Sequence, residues 1–334
     1  MLSNIQKRTG LALIAVTLMT GCATAGQGVK TSNSDEFNIL TKYMVDNKMD
    51  MNNVMDRKTW IPHAAILAEN IGDYTVLDIR QGDIAPKNGI PDFQDGHVPG
   101  AISTSFENIL STARSINAKD NILVVSHDGQ DAAAAAVALR LSGYPTTKVL
   151  KFGMSGWNSK FNIWSEKQSN FAVTHKNWTK EAASKPKKYG SPVLHTGKTN
   201  GKDILAARVD AFLKAGYHGW SSKELLENPE KVYIVNQGTA KSYGKYGRIK
   251  GAQQFNWPTI APMKNKGKLE NYPPNKPIAQ YCWTGHASIT VSSWMKILGY
   301  DASGTMYGTN SMIIKEMTKK KFKKPADLPY VTGK

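Results

Sequence analysis

The chain holds two cysteines, Cys22 and Cys282. Cys282 follows the run Ile278–Tyr281 and opens the stretch Trp283-Thr284-Gly285-His286-Ala287-Ser288, beyond which helical spacing continues to Gly299. A strand that turns sharply into a helix brings several backbone N–H groups and the positive end of the helix to one point. Both favour thiolate over thiol, so the chemistry this spacing offers is nucleophilic attack by sulfur. Gly285 is expected to let the loop backbone curl close to the sulfur, where a Cβ would intrude. The competing reading is an inert buried cysteine at a strand end.

The loop supplies the other candidates. Thr284 either hydrogen-bonds the sulfur or serves the helix start. His286 either supplies charge or a proton to a leaving group, or is a partly exposed loop histidine. Trp283 is expected at the entrance or packed between domains. Ala287 and Ser288 complete the loop. Arg248 either binds an anionic substrate or makes a structural pairing.

The chain carries a formal charge of +17, which suits small sulfur or phosphorus oxyanions or an anionic surface. No recognition motif accompanies the charge, so nucleic acid is not an expected partner. Lys7 and Arg8 precede an apolar run, Leu11 to Met19, of signal-peptide length. The run ends in Met19-Thr20-Gly21-Cys22, which resembles a bacterial lipobox with Cys22 as the lipidated residue; the rival is cleavage after Ala25. Either route exports the protein, and periplasm or cell envelope, lipid-anchored, is the expected location. Residues 1–21 then form a signal peptide and 22–34 a tether. An exported chain with one remaining cysteine has no internal disulfide, and a lone thiol in an oxidising compartment is a liability unless it is used.

Apolar runs alternate with helical ones, which predicts an α/β fold with parallel sheets covered on both faces. Strands are expected at Tyr74–Arg80, Ile122–Val125, Val149–Phe152, Val232–Val235 and Ile278–Tyr281. Helices are expected at 131–142 and Asp203–Gly216. A capping box is expected at Ser221–Glu224, and a solvated basic helix and tail over Lys315–Lys324. The order of landmarks repeats. Gly129 precedes Gly143 by the interval that separates Gly285 from Gly299, and Tyr144 and Tyr300 follow. Gly96-His97-Val98-Pro99-Gly100-Ala101 is echoed by Gly247-Arg248-Ile249-Lys250-Gly251-Ala252. In this repeat Ser126 stands where Cys282 stands.

With Asp78-Ile79-Arg80, Gly96–Ile102 and the Cys282–Ala287 loop, the chain resembles a tandem-domain rhodanese, a sulfurtransferase. The resemblance implies two small, mostly parallel sheets flanked by helices: a first domain over 35–175, inactive with Ser126, a linker over 176–202, and a catalytic domain over 203–334. It implies transfer of a sulfane sulfur from thiosulfate, a polysulfide or a persulfide, through a Cys282 persulfide, to a thiol or cyanide. A protein donor or acceptor fits the same chemistry, and no cofactor or metal is implied. The alternative is a sulfur carrier without turnover, or a binding scaffold of the cell envelope. Many thiosulfate-using members carry Arg or Lys inside the loop; none lies between Cys282 and Ser288, which favours a persulfide, polysulfide or protein-borne donor. Asn236-Gln237 replaces the acid-and-arginine pair at the matching strand end. A phosphatase would need Arg where Ser288 stands, a papain-like protease a remote His and Asn, and a Cys/His metal site a second nearby cysteine.

Overall fold

Two apolar runs set the centre of the molecule. Ile122–Val125 and Ile278–Tyr281 are strands buried at every residue, as strands covered on both faces must be. The computed structural model describes residues 33–55, 60–80, 91–118 and 121–333. The leader and Cys22 lie outside them. Among the described residues no helix is long and apolar enough to cross a membrane.

In the first half the order is α1 (Asn33–Asp46), α2 (Met51–Val54), α3 (Ala64–Leu67), β1 (Thr75–Asp78), β2 (Ile102–Ser103), α4 (Ile109–Ser115), β3 (Ile122–Val125), α5 (Gln130–Leu141), β4 (Lys148–Val149) and α6 (Gly153–Trp157). There follow β5 (Trp178–Thr179), α7 (Gly201–Ala215), α8 (Ser222–Glu227), β6 (Tyr233–Asn236), α9 (Ala240–Tyr246), β7 (Arg248–Ile249), β8 (Gln253–Gln254), β9 (Pro258–Thr259), β10 (Gly267–Lys268), β11 (Ile278–Tyr281), α10 (His286–Ile297) and β12 (Ala302–Gly304).

One parallel sheet has the order β2-β1-β3-β4. The other has the order β8-β6-β11-β12, also parallel. In chain order both read second, first, third, fourth. Thr75 stands opposite Ile122 as Tyr233 stands opposite Ile278. The turns match as well. Gly143 and Gly299 end their helices at the same φ of 105°, a left-handed close that glycine adopts without penalty. Phe152 and Tyr307 hold φ of 65° and 60°. The α/β class with small parallel sheets flanked by helices is therefore observed.

The halves meet through their central helices. α5 and α10 pack against each other, and α7 packs on both and on α1. α5 is almost wholly buried and rich in alanine, whose small side chain lets a second helix come close. A single apolar core runs from Leu77 and Val124 in one sheet to Ile278, Trp294 and Ile297 in the other half. Each such large side chain contributes about 1.5–3 kcal/mol on burial, so the two halves stabilise one another.

Several local expectations are corrected. The strand expected at Val149–Phe152 stops at Val149, because Phe152 takes a left-handed turn. Ser221 precedes α8 but its side chain makes no capping bond. The connector carries β5, paired antiparallel with β7. No helix forms over Lys315–Lys324. Asn310 accepts from the Phe322 N–H at 3.0 Å and donates to the Lys320 carbonyl at 3.1 Å. Gln168 donates to the Phe322 carbonyl at 2.8 Å, and the Phe322 ring is buried. These bonds take the backbone groups a helix would use. Beyond them the chain crosses to the first half, where Trp157 Nε1 donates to the Pro329 carbonyl and His97 bridges to Val331.

Candidate active site

Cys282 stands at the end of β11, 8 % exposed. Its carbonyl accepts from the Thr309 N–H at 2.9 Å, and the Trp283 carbonyl accepts from the Asn310 N–H at 3.1 Å and from Asn310 Nδ2 at 2.6 Å. A peptide plane points its N–H opposite its carbonyl. These bonds thus turn the N–H groups of Trp283 and Thr284 away from the 308–311 turn.

The first half shows what such a loop does. The Met154 and Ser155 N–H groups hold the Ser126 and His127 carbonyls at 2.9 Å each. Ser126 Oγ then accepts from the Gly129 N–H at 3.0 Å and the Ala132 N–H at 3.3 Å. The loop is an amide cradle for the atom at its strand end, the arrangement that suits an anion. Cys282 occupies the matching place in the second half.

Among the described residues two cavities touch Cys282. The outer one, about 280 Å³, lies between the halves: Met55, Trp60, Ile61 and Lys151 face Trp257, Lys320 and the loop. The inner one is about 20 Å³ and is walled by Tyr243, Tyr246, Trp283 and Thr309. That is room for one small group and no more. Trp283 is half-buried, edge-on to Tyr246 with centroids 5.5 Å apart, and borders both cavities.

Positive charge reaches the outer cavity from outside the loop. Lys151 Nζ donates to His63 Nε2 at 3.0 Å. Burial first, then Lys320, pushes the Lys151 pKa down, while Cys282 opposes the shift. Lys320 Nζ stands 5.8 Å from the Trp283 ring centroid. Neither lysine is near Cys282 in sequence, and neither belongs to a motif. No local signal marks either one: in the repeat Lys151 aligns with Met306, which carries no charge.

The remaining sequence candidates fall into three places. Ala287, Thr284 and His286 border the outer cavity with Trp283. His286 is buried at 2 % exposure, not a partly exposed loop residue. Its ring stacks on Trp164 at an interplanar angle of 4°. Nδ1 pairs with Thr284 Oγ1 at 3.0 Å, and Nε2 lies 3.2 Å from the Asp128 carbonyl and 3.4 Å from the Phe152 nitrogen. Burial, with Lys151 and His63 adding to it, pushes its pKa down to about 3. His286 is therefore neutral at ordinary pH and does not carry positive charge to a leaving group. The same bond engages Thr284, whose hydroxyl serves His286.

Gly285 has a φ of 83°, and a Cβ there would meet Gln130 Oε1 at 2.5 Å. The close approach it permits is to the first half, not to the sulfur. Ser288 is buried and its Oγ donates to the Gly285 carbonyl at 2.9 Å. Arg248 is not brought to either Cys282 cavity. It is 4 % exposed, and its guanidinium donates to the carbonyls of Glu181 and Ala252. At the strand end of the first half, Arg80 and Asp78 form a buried ion pair at 2.7 Å. At the matching end of the second half, Gln237 Nε2 donates to Gln280 Oε1 at 2.7 Å.

Residues 63–160 match the rhodanese-like domain family. This stretch holds β1 to β4 and the Ser126 loop. No curated protein sequence matches the chain. Among solved structures the chain is similar to a 3-mercaptopyruvate sulfotransferase of Escherichia coli, at 16% identity, 75% of this chain, 98% of that one and a TM-score of 0.27. It is similar to a 3-mercaptopyruvate sulfurtransferase of Leishmania major, at 12% identity, 75% of this chain, 72% of that one and a TM-score of 0.29. A thiosulfate sulfurtransferase of Pseudomonas aeruginosa gives 14% identity, 88% of this chain, 49% of that one and a TM-score of 0.27. With TM-scores this low, the fold rests on the rhodanese-like stretch and on the strand order and register of the chain itself.

Proposed function

We propose that the chain is a sulfurtransferase built from two rhodanese-like halves, with one active centre at Cys282. The observation that carries this reading is the position of the thiol. It lies at the end of a parallel strand, in a loop of the kind that cradles Ser126 Oγ with backbone N–H groups, and beside a cavity that receives Lys151 and Lys320.

The Cys282 thiolate attacks the outer sulfur of the donor. The bond from that sulfur to the rest of the donor breaks, and its electron pair leaves with the remainder, as sulfite when thiosulfate is the donor. The enzyme then holds Cys282–S–S⁻. Backbone N–H groups of the loop stabilise the anion in the way oxyanion holes stabilise oxygen. Lys151 and Lys320 attract an anionic donor and offset the charge that develops on the departing group. Cyanide or a thiolate next attacks the terminal sulfur, the S–S bond to Cys282 breaks, and the thiolate is restored. The lysines put thiosulfate back among the donors, although the loop itself has no cation. Ser126 has no sulfur to load, so the first half walls the cavity and supplies Lys151. Export, with a lipid on Cys22, is part of the same reading.

The test is steady-state thiocyanate formation from thiosulfate, or from polysulfide, with cyanide. Continuous turnover that disappears in Cys282→Ser supports the enzyme. A single stoichiometric release without turnover favours the sulfur carrier, and an unreactive Cys282 favours the scaffold.

A further inference from the structure

A second cavity of about 400 Å³ adjoins the Cys282 cavity. Lys151 lines both, and Lys320 of the first is followed in the chain by Lys321 of the second. The second cavity is bordered by Lys321, Lys323 and Lys324, with Phe152, Phe322 and Pro325 as apolar walls. Resting on the sulfur-transfer reading, we propose that this cavity binds the carboxylates of an organic thiol, or of its persulfide, whose sulfur reaches Cys282 past Lys151.

Three observations carry the assignment. The first is charge. Among the described residues Lys321, Lys323 and Lys324 have no carboxylate within ion-pair distance. The nearby acid, Asp327, bonds the Ser159 N–H at 2.8 Å and offsets part of the Lys324 charge, which leaves Lys321 and Lys323, among the described residues, without an acidic neighbour at that range. The second is order. The lysines sit on a backbone anchored by Asn310, Gln168 and the buried Phe322 ring, and the Ala326 N–H donates to the Gly156 carbonyl at 3.0 Å. Cations held on a fixed backbone bind with less loss of entropy than cations on a free tail. The third is size and wall chemistry. A bare inorganic anion would fill little of 400 Å³. Volumes of about 300–1,000 Å³ with mixed apolar and polar walls are those of organic ligands.

The shared chemistry has two sources, a thiol acceptor or a persulfide donor. As acceptor, the thiolate RS⁻ attacks the terminal sulfur of Cys282–S–S⁻. The S–S bond to Cys282 breaks, the products are RSS⁻ and the Cys282 thiolate, and no outside oxidant is needed. As donor, RSS⁻ runs the same step in reverse.

The test separates binding from chemistry. S-methylglutathione, which has both carboxylates and no free thiol, is titrated calorimetrically into the intact protein and into Lys321→Gln/Lys323→Gln/Lys324→Gln. The diethyl ester of the same compound, which lacks both carboxylates and keeps the ammonium group, is the control. The expected result is a Kd at least about tenfold weaker in the triple glutamine variant, a Kd close to the parent in the corresponding triple arginine variant, and no such preference for the ester. Equal Kd values in parent and glutamine variant, or equal binding of acid and ester, would overturn the site. Loss of Cys282 sulfur uptake alongside intact, lysine-dependent binding would support the site while counting against sulfur transfer. With loaded enzyme, glutathione as acceptor and glutathione persulfide as donor distinguish the two sources.

Discussion

The main-chain N–H of Tyr307 donates to Gln130 Oε1 at 2.6 Å. Gln130 opens α5 in the first half, and Tyr307 lies on the turn beneath the Cys282 loop. The counterpart contact runs the other way, from His286 at the start of α10 to Phe152 and Asp128. The first side chain of each central helix thus crosses to the opposite half. Gln130→Ala leaves the Tyr307 N–H without its partner, and an unmade buried bond costs about 1–3 kcal/mol. Urea denaturation should show a loss of that size. A change below about 0.5 kcal/mol, the usual effect of a surface substitution, would contradict it.

The histidine on the matching side makes stability depend on pH. Burial holds folded His286 neutral down to about pH 3, against an ordinary value of 6.5. Unfolding therefore takes up a proton between those values, and the contribution is present above about pH 6.5 and lost as pH falls. His286→Gln copies the residue used at Gln130 and does not titrate. Between pH 6 and pH 5 the parent should lose about 1 kcal/mol more than this variant. Parallel pH profiles would count against a neutral, buried His286.

Gly285 tests the close approach of the halves. Its φ of 83° and the 2.5 Å from an added Cβ to Gln130 Oε1 both oppose a side chain. Gly285→Ala should cost about 2 kcal/mol or more, since the left-handed conformation alone costs an L-residue about 1–2 kcal/mol. Gly244→Ala, in α9 with open space around it, should be neutral or slightly stabilising. Equal effects of the two changes would contradict the geometry.

Restoring a thiol to the first half should not restore chemistry. Ser126 is 2 % exposed. The Asp128 carboxylate, which accepts from Gln130 N and Nε2 at 2.9 Å each, stands in that loop where the second half has Thr284. A thiol buried at that position is shielded from reagents in solution, whatever its ionisation. In Cys282→Ser/Ser126→Cys, alkylation of the new thiol should be at least about tenfold slower than that of Cys282 in the parent. Rapid alkylation, or sulfur uptake at position 126, would show that the two loops differ less than the geometry implies.

The sheets are readable because their central strands are mostly apolar, with Gln280 the one polar residue in Ile278–Tyr281. Ile122–Val125 and Ile278–Tyr281 were placed with the bounds they have. The repeat of glycines was readable because a left-handed helix end demands them at Gly143 and Gly299. The position of the thiol followed from both. The cations were not readable, because Lys151 and Lys320 reach the cavity through packing of distant segments. The burial of His286 is not legible for the same reason: packing against Trp164, not the local loop, sets its surroundings. The Lys315–Lys324 run read as helical because lysine propagates helices, yet tertiary bonds from Asn310 and Gln168 to its backbone prevail.

The most direct measurement is the intact mass of the purified protein after thiosulfate, then after cyanide, beside the same series with polysulfide. The expected result is a gain of one sulfur atom, absent in Cys282→Ser and removed by cyanide. No gain with either donor, or an equal gain in Cys282→Ser, would contradict a persulfide on Cys282.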